Sequence, residues 1–217
     1  NDGDLDLAVS GYDGANYRLI IYRNDGGSFV NAGEPLGANA GLYYGSIQWG
    51  DYDNDGDLDL AVSGYDGANY RLIIYRNDNG SFVNAGEPLG ANAGLVGSSI
   101  QWGDYDNDGD LDLAVSGYDG VNYRLIIFRN DNGSFVNAGE PLGANTGVYE
   151  SSIQWGDYDN DGDLDLAVSG YDSGGNKRLI IFDSLEAQYG NANSAPASPA
   201  NLTAGYANDR LEFRWDK

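Results

Sequence analysis

One unit of 53 residues recurs along the chain, and it restricts the fold more than any other feature. Trp49, Trp102 and Trp155 stand 53 residues apart, and Asn1 aligns with Asn54 at the same spacing. The 217 residues therefore hold nearly four copies, with starts near residues 46, 99 and 152 and a first copy that lacks its opening strand. A fixed period in this range is the signature of propellers, solenoids or arrays. The copies are nearly identical, which points to recent duplication. They differ mainly at Tyr43–Gly45, Val96–Ser98 and Tyr149–Ser151, and concentrated change predicts a surface position for that segment.

Within one unit four short strands can be read. Strand A is Ser99–Asp104, with Ile100 and Trp102 on one face. Strand B is Leu58–Gly64, where Leu58, Leu60 and Val62 line one face and the small Ala61 and Ser63 the other. Strand C is Tyr70–Arg76, apolar on both faces. Asn77–Gly80 then gives a tight turn signal, because Asn-Gly accepts positive φ at little cost. Strand D is Ser81–Ala85, and "GEPLGANAG" leads to the next unit. No segment carries the 3.6-residue period of an amphipathic helix. A four-stranded meander whose third strand is apolar on both faces must be covered on both sides, and radial stacking does that. The expected fold is all-β, with β-propeller blades of four antiparallel strands; a linear β-solenoid is the alternative.

Between strands A and B the chain reads "DYDNDGDLD" at Asp51–Asp59, and again at Asp104–Asp112 and Asp157–Asp165. So many like charges on one loop repel unless a cation lies among them. The pattern D-x-D-x-D-G-x-x-D offers side-chain oxygens at its first, third, fifth and ninth positions and a backbone carbonyl at the seventh. Glycine at the sixth permits the sharp turn. Oxygen-only ligation of flexible geometry favours Ca²⁺ over Mg²⁺. An EF-hand would need a bidentate Glu where Val62 stands and a helix where strand B begins. The candidate ligands are thus Asp51, Asp53, Asp55, Asp57 and Asp59; Asp104, Asp106, Asp108, Asp110 and Asp112; Asp157, Asp159, Asp161, Asp163 and Asp165; and, in the partial first loop, Asp2, Asp4 and Asp6. Asp57, Asp110 and Asp163 occupy the carbonyl position, and their side chains are expected to point outward as spare charge.

Charge and missing residue types narrow the function. Lys and Arg number 11 against 34 Asp and Glu, a net charge of −23, which repels nucleic acid and anionic membranes. The loops hold eighteen of those 34 acids. No Cys and no His are present, so disulfides, CxxC sites, His-based catalysis and the usual zinc ligands are excluded. No apolar run reaches the roughly 18–20 residues of a membrane helix. The chain begins inside a repeat and is expected to be a piece of something longer. Recurring tyrosines (Tyr12, Tyr65, Tyr118 and Tyr171, followed by Tyr17, Tyr70 and Tyr123) fit sugar stacking or, more ordinarily, hairpin support. Arg18, Arg71, Arg124 and Arg178 fit solvated pairs with nearby Asp.

The aspartate loop followed by "DLAVSG" resembles the FG-GAP/VCBS-type repeat, the blade of integrin α-subunit propellers and of many secreted bacterial proteins. The resemblance covers about residues 1–185, with Trp49-Gly50 in place of the family's Phe-Gly and Gly33-Glu34-Pro35 in place of Gly-Ala-Pro. It implies a ring of more blades than the chain holds. Residues 1–189 are read as blades and 190–200 as a Pro/Ala/Ser/Asn linker. Residues 201–217 alternate like a hairpin and resemble the first strands of a fibronectin type III domain. A strand-donating hairpin is the other reading of that tail. The expected role is that of a secreted or cell-surface calcium-binding module for adhesion or scaffolding, whose partners are protein or carbohydrate. Two further readings are a subunit of a self-associating extracellular filament and an accessory part of a polysaccharide-degrading enzyme. No catalytic constellation is visible, and the chain is expected not to be an enzyme itself.

Overall fold

The computed structural model describes residues 3–35, 37, 41–91 and 93–183, together with the backbone of two strands at 202–207 and 210–215. No helix occurs among the described residues, so none is long and apolar enough to cross a membrane. The first sheet holds β1 (Leu7–Tyr12), β2 (Tyr17–Asp25) and β3 (Ser28–Gly33). The second holds β4 (Ile47–Gly50), β5 (Asp59–Tyr65), β6 (Tyr70–Asp78) and β7 (Ser81–Gly86). The third holds β8 (Val96–Gly103), β9 (Asp112–Tyr118), β10 (Tyr123–Asp131) and β11 (Ser134–Gly139). The fourth holds β12 (Tyr149–Gly156), β13 (Asp165–Tyr171) and β14 (Lys177–Phe182). All four are antiparallel meanders in chain order.

Local chemistry accounts for the hairpins. Asn79 (φ 52°) and Gly80 (φ 91°) are both left-handed, and so are Asn132 (φ 51°) and Gly133 (φ 86°). Two successive positive φ values make the turn whose twist matches the flanking strands. The strands run on into the turn signal, so β6 reaches Asp78 rather than Arg76.

The third strand of each unit explains why the sheets stack. Leu72 and Ile74 pack with Ile100, Leu113, Val115, Ile126 and Phe128 of the third sheet and with Leu95 in the linker just before it. Their neighbours Ile73 and Tyr75, on the other face, pack with Leu19 and Ile21 of the first sheet. Ala114 and Leu125 in turn meet Ile153, Leu166 and Val168 of the fourth. Each inner sheet is therefore buried on both faces by its two sequence neighbours, and β4, β8 and β12 lie side by side. This is the packing of propeller-like blades.

Trp-Gly is the joint between blades. The Trp102 indole lies flat over Gly50, where a Cβ would come within 2.6 Å of Trp102 Cδ1, and Trp155 lies over Gly103 in the same way. Trp102 Nε1 donates to the Gln48 carbonyl at 3.3 Å, and Trp155 Nε1 to Gln101 at 3.4 Å.

Two expectations need correcting. Leu58 is not on the inner face of strand B: it is 48% exposed, because the ladder starts at the Gly50–Asp59 pair and Leu58 still belongs to the loop. The segment that varies between copies is not uniformly on the surface either. Tyr43 and Tyr44 are exposed, but Val96 is buried and Gly97 lies beneath the Tyr149 ring. Gly97 donates its N–H to the Tyr44 carbonyl at 2.7 Å, and the Tyr44 hydroxyl bonds the Glu150 carboxylate. The three variable segments meet one another, so their differences are complementary: a small residue in one copy makes room for an aromatic in the next.

The linker at 190–200 lies outside the described residues. The tail does form the expected hairpin backbone, with β15 (Leu202–Ala207) paired to β16 (Arg210–Trp215) in the register Leu202↔Trp215, Ala204↔Phe213 and Tyr206↔Leu211.

Candidate metal centre

The loop from Asp51 to Asp59 is wound by two left-handed residues, Asn54 (φ 59°) and Gly56 (φ 93°). Asn tolerates that region better than other side-chain-bearing residues, and Gly occupies it freely. The first aspartate then folds over the turn. Asp51 Oδ1 accepts the Asp55 N–H at 3.1 Å and Oδ2 accepts the Gly56 N–H at 3.0 Å. Asp104 and Asp157 make the same two bonds in their loops. Asp55 Oδ1 accepts the Asp57 N–H at 2.9 Å, so the winding is held by acceptors from its own acids.

The ninth aspartate anchors the loop to the sheet. Asp59 is fully buried; its Oδ2 accepts the Tyr52 N–H at 3.1 Å and its Oδ1 the Asn77 N–H at 2.8 Å. Asp112 does the same with Tyr105 at 3.0 Å and Asn130 at 2.8 Å. Burial drives the Asp59 carboxyl up to about 6, against the pull of its two backbone donors, with the charges of Asp53 and Asp55 adding to the rise. Asp112, equally buried, is pushed up to about 7 by the same causes.

One carboxylate oxygen from each of Asp51, Asp53 and Asp59 lies within 4.8 Å of the others. Asp104, Asp106 and Asp108 converge in the same way, and so do Asp157, Asp159 and Asp165. The first and third positions thus converge in every full loop, joined by the ninth or the fifth. Asp53 Oδ1 and Asp106 Oδ1 are buried and accept no hydrogen bond. Burial and the neighbouring carboxylates hold both groups above the usual carboxylate range. A buried carboxylate oxygen with no donor is costly, and a cation held by these acids could supply the partner. The set is oxygen-only, with no Cys or His in the chain, and suits a hard divalent ion.

The seventh position departs from expectation. Asp57 is not outward spare charge: its Oδ2 accepts the Asn79 N–H at 2.7 Å and ties the loop to the β6–β7 turn. Asp110 makes the same bond to Asn132 at 2.8 Å. Asp110 and Asp163 also accept side-chain amides from the preceding loop, at 2.9 Å from Asn54 and 2.7 Å from Asn107. In the first loop, Asp2 lies outside the described residues, Asp4 accepts the Gly26 N–H at 2.8 Å, and Asp6 accepts the Asn24 N–H at 2.9 Å.

Other residues join the site from a distance. Arg76 and Arg129 lie close enough to Asp53 and Asp106 to offset part of their charge. In the fourth copy Asp183 occupies the equivalent place, within 4.8 Å of Asp159 and Asp161. Aligning the fourth unit through its one-residue insertion would have exposed this Arg-to-Asp exchange. Tyr52 stacks on Trp102 at 6.1 Å and 10°, and Tyr105 on Trp155 at 6.1 Å and 13°, so the next blade's tryptophan backs each loop.

At the opposite end of the blades the arginines are more than solvated pairs. Arg71 bridges Asp66 at 3.0 Å and Glu87 at 2.6 Å with only 20% of its side chain exposed, and Arg124 repeats this with Asp119 and Glu140. The tyrosines brace the turns: the Tyr65 hydroxyl donates to the Gly67 carbonyl at 2.8 Å and the Tyr118 hydroxyl to Gly120 at 2.7 Å.

A pH dependence follows from Asp59 and Asp112, the buried ninth aspartates of the first two full loops. Their folded pKa values lie above the roughly 3.9 of an unfolded Asp. That contribution to stability is fully present below about pH 4 and is lost as pH rises through 6 to 7. Asp66 and Asp119 are held low: burial would raise them, but backbone N–H groups and the partner arginine more than offset it. They weaken the fold only below their ordinary range, so pH 5–8 isolates the first effect. Metal-stripped protein is expected to melt higher at pH 5 than at pH 8. With saturating calcium the order should reverse, because protons compete with the ion. Melts followed by circular dichroism at both pH values check this, and a metal-free melt that rises with pH would contradict it.

The sequence model of one repeat family, described as FG-GAP-like repeat, matches three stretches of the chain, residues 1–62, 55–115 and 115–168. The matches end at 62, 115 and 168, each within the second strand of a unit (β5, β9 and β13) and at the 53-residue spacing, so one repeat of that family corresponds to one unit here. A search of curated protein sequences found no match.

Proposed function

The chain belongs to the FG-GAP-like repeat family, and from that premise we propose that it supplies calcium-binding blades to an extracellular β-propeller used for adhesion or scaffolding. Asp51, Asp53, Asp55 and Asp59 would hold the ion through side chains and Asp57 through its carbonyl, with the equivalent residues serving in the two later loops. The bound ion supplies positive charge where the fold has concentrated carboxylates. The observation that carries this reading is the buried, donor-less oxygen of Asp53 and of Asp106. If the loops resemble extracellular modules, Kd is on the order of 10⁻⁴–10⁻³ M, matched to the calcium level outside cells rather than within them. The role is structural, not catalytic: the acids hold the loop winding, the sheet and the ion. Partners are protein or carbohydrate at the cell surface.

Calorimetric titration with CaCl₂ tests the proposal. Saturable binding is expected, with Mg²⁺ competing poorly because it demands a tighter octahedron. Asp106→Asn should remove one site and leave the others. No heat of binding at millimolar calcium, or unchanged stoichiometry in the variant, would overturn it.

A further inference from the structure

We propose that Asn54 and Asn107 are positioning residues that couple neighbouring cation loops, so that the loops fill cooperatively. This rests on the calcium reading above. Each asparagine sits between two ligand candidates, Asp53 and Asp55 or Asp106 and Asp108, in a left-handed conformation at φ 59° and 58°. Neither side chain serves its own loop. Asn54 Nδ2 donates across the blade boundary to Asp110 Oδ1 at 2.9 Å and toward the Gly109 carbonyl at 3.4 Å. Asn107 Nδ2 donates to Asp163 Oδ1 at 2.7 Å. The same bond thus occurs at two independent junctions.

The acceptor is the residue that makes this a coupling and not merely a tie. Asp110 occupies the seventh loop position, whose carbonyl is the candidate ligand. Its other carboxylate oxygen is pinned to the Asn132 N–H at 2.8 Å. Closing the third loop around an ion fixes the Asp110 backbone, and this fixes the acceptor offered to Asn54. A held Asn54 in turn sets the backbone between Asp53 and Asp55 in the second loop. Without an ion the acids repel and the acceptor drifts. The bond is charge-assisted, hence stronger than a neutral one, but exposed. A coupling on the order of fivefold in affinity is expected, and it acts in both directions because linkage is reciprocal. The third loop, joined to both neighbours, is the centre of the row.

Replacing Asn by Gly keeps the left-handed backbone accessible and deletes only the amide. The native chain and the N54G/N107G double variant are titrated with CaCl₂ by calorimetry. The native chain should bind with a Hill coefficient above 1. The double variant should bind the same number of ions with a coefficient near 1 and about fivefold weaker later sites. The single variants N54G and N107G should fall between, and they decide the matter if the double variant loses its β-sheet spectrum in saturating calcium. A native coefficient of 1, or a coefficient unchanged in variants that keep that spectrum, overturns the coupling while leaving calcium binding intact. Failure of every form to bind calcium overturns the calcium reading itself.

Discussion

In excess chelator near neutral pH, the melting temperature is expected to fall by roughly 10–30 °C from its value in about 10 mM calcium. The magnitude comes from linkage. With Kd on the order of 10⁻⁴–10⁻³ M, 10 mM calcium is about 10–100 times Kd, which stabilises by about 1.4–2.7 kcal/mol per loop. The three loops whose acids converge, at Asp51–Asp59, Asp104–Asp112 and Asp157–Asp165, together contribute about 4–8 kcal/mol. For a chain of this size each kcal/mol moves the midpoint by about 2–4 °C. The structural reason is that each of the three loops is pinned to the core by a buried aspartate: Asp59 and Asp112 are 0% exposed and Asp165 is 2% exposed. An unneutralised loop therefore cannot relax into solvent without pulling on strand B. Calcium should restore the midpoint and magnesium should do so poorly. A midpoint that moves by less than a couple of degrees would remove the ion from any structural role.

Much of this architecture is written in local sequence patterns. The two-sided apolar pattern of Leu72, Ile73, Ile74 and Tyr75 demanded cover on both faces, and alternate residues do pack on opposite neighbours. Asn79-Gly80 specified its turn through backbone conformation alone. The aspartate spacing marked the loop, because a ligand set within nine residues is a local pattern. What was not legible lies a whole repeat away. Nothing near Gly97 in sequence says that Tyr149 covers it, and nothing near Asp110 says that Asn54 of the previous loop will donate to it. Identical copies hide such contacts, since each residue type recurs at every junction and no pattern says which copy it meets. Asp183 is hidden for a related reason: the one-residue insertion shifts it out of register with Arg76 and Arg129. The side-chain task of Asp57 is not legible from its loop, because it depends on the turn between β6 and β7, 22 residues on.

The same long-range logic makes the segment before each first strand the most sensitive part of the chain. Gly94→Ala is expected to destabilise the fold by about 3–5 kcal/mol, in the range of the severe core substitutions. A Cβ at Gly94 would lie 2.0 Å from the Arg71 carbonyl carbon and 2.3 Å from its Cα, so it meets backbone and not a side chain that could turn away. Gly147 stands against Arg124 at 2.0 Å and Gly41 against Arg18 at 1.8 Å, which makes the close approach a property of the repeat. In two of the three copies the contact is also held by a hydrogen bond. Gly147 donates its N–H to the Tyr123 carbonyl at 2.8 Å and Gly41 to Tyr17 at 3.0 Å, so the linker is hydrogen-bonded to strand C at that point. The residue that follows is core: Leu95 is 0% exposed, Leu42 2% and Val148 1%. Relieving the clash by lifting the linker would draw Leu95 away from Ile100 and Leu113, adding lost burial to the broken contact. Gly86→Ala supplies the control, since a Cβ there meets nothing within 4 Å and its φ lies outside the left-handed region. Thermal or urea melts of both variants in saturating calcium separate the two cases. Gly94→Ala should melt roughly 6–20 °C below the native chain and Gly86→Ala close to it. Equal midpoints for the two variants would show that the linker yields, and that the blades are not locked by the approach of Gly94 to strand C.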